Sequence, residues 1–139
     1  MNDTEPIRYG HAVKTALPYA EAVSRVKDLL KEQGFGVLCE IDVAKTMREK
    51  LNASFPPYVI LGACNPELAR RALGEEPQLG LLLPCNVVVQ ETEGHTVVSA
   101  IDAQALLRFT GNSALTPIAD EADARLLRVL GGIPALPAS

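Results

Sequence analysis

The chain reads as an α+β domain in two layers: one mixed, mostly antiparallel sheet of about five strands, with helices packed mainly on one face. Three observations predict this. Amphipathic helical stretches and period-two apolar stretches interleave along the first part of the chain. Two strand-like stretches then flank Glu93-Gly94, a hairpin signal that argues against a purely parallel, doubly wound sheet. The size and balance, 139 residues with 47% hydrophobic and 22% charged, are those of one globular domain.

Residues 1–6 read as a disordered lead, residues 7–131 as the single domain, and residues 132–139 as a loose tail. Ile7 to Ala16 predicts a first strand. A helix follows, with Tyr19, Ala22, Val23, Val26, Leu29 and Leu30 on one face, Pro18 near its first turn and Gly34 at its C-terminal end. Phe35, Val37, Cys39 and Ile41 alternate with other residues and predict a strand with these four facing the core. Asp42 then caps a short helix from Val43 to about Leu51, which Pro56-Pro57 closes off.

Tyr58 to Ala63 is apolar enough for a strand buried on both faces. Asn65-Pro66-Glu67 places a cap, a first-turn proline and an acid in the order that starts a helix, and Gly74 ends it. Leu79 to Glu91 predicts a long strand interrupted at Pro84, because proline removes a ladder donor. His95 to Ile101 is the return strand of the hairpin. Asp102 caps a helix through Phe109. An extra helix, about 117–131, carries Ile118, Ala119, Ala122, Leu126, Val129 and Leu130 on its inner face.

Composition excludes several function classes. The chain has no Trp and only 4% aromatics, so its core is aliphatic and no base-stacking platform is available. A net charge of −4 and the lack of any Lys/Arg run argue against a nucleic-acid partner. No apolar stretch approaches a membrane span, and the polar, acidic start is unlike a secretory leader. Cys39, Cys64 and Cys85 are odd in number and widely spaced. That is no disulfide framework, and it predicts reduced thiols and a cytoplasmic location.

Three segments are more distinctive than these patterns: Phe35-Gly36-Val37-Leu38-Cys39-Glu40-Ile41-Asp42, Leu61-Gly62-Ala63-Cys64-Asn65-Pro66, and Leu81-Leu82-Leu83-Pro84-Cys85-Asn86-Val87-Val88-Val89. In order and spacing they resemble the bacterial and archaeal family called domain of unknown function 302, over roughly residues 8–107. The resemblance implies a small two-layer α/β fold assembled as a homodimer. It implies no activity. The C-terminal helix lies beyond the matched part.

Cys64 is the leading candidate for chemistry. It ends a strand immediately before the helix start at Asn65, where free N–H groups and the helix dipole favour a thiolate. Such a thiolate serves as nucleophile, redox thiol or soft metal ligand. The plain alternative is a small buried hydrophobe at a tight junction. Cys85 sits beside Pro84, where distorted backbone re-aims a side chain, and it is also in phase with Val87 and Val89, which suits a core face. A dithiol or two-ligand site forms only if the two strands are neighbours. Asn65 offers a helix N-terminus to an anion. Asp42 is either a plain cap or a polar group at a pocket rim.

No metal site is predicted: the CxxC, HExxH and paired-His spacings are missing. His11 and His95 are single residues in predicted strands, each either an axial haem or metal ligand or a plain surface or satisfied histidine, and His95, beside the hairpin turn, is expected to be solvated. No Gly-rich phosphate loop and no Ser-His-Asp set can be assembled. The chain is therefore expected to be a non-enzymatic module that binds a small apolar ligand or self-associates, with no cofactor predicted. The alternative is a thiol-dependent redox or metal/haem-binding protein using Cys64 and Cys85. A hydrolase ranks behind both.

Overall fold

The computed structural model describes residues 4–137. Six strands, β1 (Thr4–Ile7), β2 (Gly10–Thr15), β3 (Gly36–Asp42), β4 (Tyr58–Cys64), β5 (Cys85–Thr92) and β6 (His95–Ile101), form one sheet in the order β1-β2-β6-β5-β4-β3. Every neighbouring pair is antiparallel, so the sheet has no parallel ladder among the described residues. The helices are α1 (Tyr19–Glu32), α2 (Val43–Leu51), α3 (Pro66–Glu75), α4 (Ala103–Arg108) and α5 (Thr116–Gly131). The result is the expected two-layer α+β architecture. Among the described residues no helix is long and apolar enough to cross a membrane.

Alternation decides the core. Val59, Leu61 and Ala63 of β4, Val87 and Val89 of β5, and Val98 and Ala100 of β6 all point at the helices and are buried. They pack against Ala22, Val26 and Leu30 of α1 and against Leu126, Val129 and Leu130 of α5. Ile60, Val88 and Val97 occupy the opposite face and are half-buried. The α1 helix ends as its sequence dictates. Gly34 takes a positive φ of 84°, the Phe35 N–H donates to Leu30 O, and the Gly34 N–H donates to Lys31 O. Those two bonds satisfy carbonyls the helix leaves open. The β5–β6 turn at Glu93 and Gly94 has positive φ at both residues, matching the strand twist.

Several sequence expectations change. The strand expected over Ile7–Ala16 is two strands with a turn at Arg8-Tyr9, and β1 includes residues 4–6 of the expected lead. Residues 1–3 of that lead lie outside the described residues. Residues 132–137 of the expected tail are tied down: Ile133 is buried, and the Leu136 N–H donates to Lys14 O at 2.8 Å. Residues 138–139 lie outside the described residues. The long strand from Leu79 begins only at Cys85, because Pro77–Leu82 coils into a 3-10 turn; the Leu83–Pro84 peptide bond is cis.

The largest correction concerns β3. Its register against β4 shifts between Val37 and Cys39, so the period of two breaks there. Val37 pairs with core-facing Ala63, but Ile41 pairs with Ile60 on the opposite face. Cys39 and Ile41 are consequently exposed, not core. Gly62 permits this crossing. A Cβ there would meet Cys39 Sγ at 2.5 Å and Pro84 Cγ at 2.8 Å.

Candidate functional site

Beneath α3 the two layers do not fully meet. A cavity of about 300 Å³ lies between the ends of β4 and β5, α3, the 3-10 turn, and the facing sides of α4 and α5. Its origin is in the side chains. Ala63, Ala69, Ala72, Ala103 and Ala122 supply much of the wall, and alanine leaves volume that a larger residue would fill. Leu68, Leu79, Leu83, Leu107 and Ile118 complete an apolar lining, with Phe35 as its one aromatic ring. No Asp, Glu, Lys, Arg or His lines it.

Three of the four candidates from the sequence meet here. Cys64 and Cys85 both line the cavity, because β4 and β5 are neighbours and Ala63 pairs with Cys85. Cys85 is pushed up to about 11, chiefly by burial, with Cys64 and Asp123 adding to it. It is a neutral thiol at physiological pH. Asn65 is buried at the same wall, and its Oδ1 accepts from the Leu68 N–H at 3.1 Å, so its acceptor is spent on capping α3. Asp42 is elsewhere. Its Oδ1 accepts from the Lys45 N–H at 2.9 Å on the exposed start of α2, and it does not line the cavity. The rim role considered for Asp42 is replaced by the plain cap.

A second cluster lies beyond what sequence reasoning assembled. His11 Nε2 of β2 is 3.5 Å from Asp123 Oδ1 of α5 and 3.9 Å from Asp102 Oδ2, at the start of α4. Asp123 Oδ1 also accepts from the Ala103 N–H at 3.1 Å, and Asp102 Oδ1 from the Ala105 N–H at 3.0 Å. Both acids thus hold the first turn of α4. Burial raises the Asp123 pKa, and the neighbouring Asp102 charge raises it further. The Ala103 N–H and His11 pull it the other way. One signal was available. Asp123 falls within the apolar stripe of α5, between Ala119, Ala122 and Leu126, where an acid needs an inside partner. His95, expected to be solvated, keeps its Nε2 buried without a partner.

Fold and pocket together define a two-layer α+β domain with a half-open apolar pocket at the ends of β4 and β5. The family model described as "Domain of unknown function DUF302" matches residues 11–133, and the chain belongs to that family. The match extends over α5, which the sequence resemblance did not cover. Among solved structures, an uncharacterized conserved protein DUF302 from Bacillus stearothermophilus is similar at 32% identity with a TM-score of 0.86. The alignment covers 92% of this chain and 100% of that one. No curated protein gives a significant match.

Proposed function

We propose that the protein is a non-enzymatic binding module for a small, uncharged, apolar ligand held in the cavity under α3. The carrying observation is the lining. A space of about 300 Å³ is walled by aliphatic side chains, the Phe35 ring, two thiols and the Asn65 amide, with no charged group in its lining. That is the lower end of the size range for ligand sites, roughly 300–1,000 Å³, and such sites are mostly apolar. An anionic head group would find no cation in the wall and would lose its hydration. The test is thermal unfolding with straight-chain alcohols and the matching carboxylates. Alcohols raise the melting temperature and carboxylates do so far less. No shift with any alcohol overturns the reading.

The thiol reading keeps one observation in its favour: both cysteines line the same space. Against it stands the neutral state of Cys85. Alkylation of the native, reduced protein separates the two readings. The binding reading expects Cys85 to stay unreactive at neutral pH, whereas rapid loss of both thiols there favours redox or soft-metal work. We also propose that the chain works in the cytoplasm and pairs with a second copy. The homodimer is supported by the family resemblance and by α2, none of whose residues is buried. A monomer by light scattering at high concentration would remove that part.

A further inference from the structure

The His11, Asp102 and Asp123 cluster takes no part in the cavity lining. Its three side chains come from β2, the β6–α4 junction and α5, elements far apart in sequence that the fold brings together. One ligating atom from each lies within 4.8 Å of the others. His11 Nε2 is buried and lies in ion-pair range of both carboxylates, but it makes no well-aligned hydrogen bond to either. Among the described residues no lysine or arginine pairs with either acid. A ring nitrogen within 3.5 and 3.9 Å of two carboxylates, making no well-aligned hydrogen bond to either, leaves three donor atoms converging on one point.

We infer that His11 Nε2, Asp102 and Asp123 form a binding site for a divalent first-row transition cation, with zinc as its simplest occupant. Zinc bonds of about 2.0–2.2 Å to nitrogen and oxygen set ligand atoms roughly 3.3–3.6 Å apart at a tetrahedral centre. The 3.5 Å separation of His11 Nε2 from Asp123 Oδ1 already meets this, whereas the 3.9 Å separation from Asp102 Oδ2 and the carboxylate–carboxylate separation, within 4.8 Å, close by side-chain rotation on binding. The Ala103 and Ala105 N–H groups hold the two carboxylates in orientation, as outer partners do in metal sites. Imidazole with two carboxylates suits zinc or manganese better than a soft cation, and the fourth position is left to water.

Zinc titration of the metal-stripped protein, followed by calorimetry and by melting temperature, tests this. One equivalent binds and the melting temperature rises with zinc concentration. The variants His11→Gln and Asp102→Asn, each checked for native circular dichroism, weaken binding roughly tenfold or more. Asp102→Asn keeps an acceptor for the Ala105 N–H, so it stays folded even if His11→Gln does not. Cobalt substitution reports the donors, and the expected spectrum carries no thiolate-to-metal band. Absence of binding at millimolar zinc, unchanged affinity in Asp102→Asn, or a thiolate band that assigns the metal to Cys64 and Cys85 would each overturn the site. Alcohol binding in the cavity is scored separately and is independent of these outcomes.

Discussion

The cavity and the His11 cluster lie under the same helical layer, yet they handle polar atoms in opposite ways. In the cavity the polar groups are neutralised or spent: Cys85 keeps its proton, and the Asn65 oxygen is committed to capping α3. In the cluster two acidic side chains are anchored by backbone N–H groups and face an imidazole. A low-dielectric space tolerates a neutral thiol, whereas a charge there needs a partner and a hydrogen bond. The difference predicts that apolar matter goes to one region and charge to the other.

The hardest way to break the contrast is to move a charge into the wrong region. Cys85→Asp places a carboxylate against an aliphatic wall and is expected to destabilise by about 3–5 kcal/mol in urea denaturation. A loss under 1 kcal/mol would mean the cavity is wetter than its lining implies.

Next in size is the pH response. An unfolded chain ionises this thiol near about 8.5, while the folded protein keeps it protonated up to about 11. The native state therefore holds more protons in that window. Its contribution to stability is full below about pH 8.5 and is lost as pH rises through 11, by roughly 3 kcal/mol. Urea midpoints of wild type and Cys85→Ala from pH 8 upward should diverge in slope, the variant being flatter. Parallel curves would contradict the burial of the thiol.

Gly62→Ala probes the rim. Its new methyl meets the Pro84 ring and the Cys39 sulfur, at an expected cost of about 1–3 kcal/mol. Because Pro84 lines the cavity, alcohol affinity should fall in the same variant. The smallest effects separate the two caps. Asn65→Ala, buried at the wall, should lose about 1–2 kcal/mol and perturb ligand affinity. Asp42→Ala, exposed on α2, should lose about 0.5–1 kcal/mol and leave affinity unchanged.

Local signals in the sequence carried far. The Asn65-Pro66 start, the Gly34 end, the Glu93-Gly94 hairpin and the interruption at Pro84 all depend on neighbours within a few residues, and each stands in the structure. What escaped depends on pairing at a distance. The bulge at Val37/Cys39 turned an unbroken apolar alternation into one whose second half faces outward, and nothing in the residues of β3 alone marks it. The meeting of Cys64 and Cys85 needed the strand order. The five alanines of the wall lie on four separate elements, and only their convergence shows that they line a space. Asp123 was legible in principle, as an acid in an apolar stripe, but its partner His11 lies more than a hundred residues earlier in the chain.

The most direct test of the central claim is a methyl-resolved NMR titration of the protein with octanol. Shifts are predicted at Leu68, Leu79, Leu83, Leu107 and Ile118, which surround the cavity, and they should saturate at one equivalent. A response at Ile60, Val88 and Val97 instead would place the apolar contact on the opposite sheet face and contradict the assignment of the cavity as the binding site.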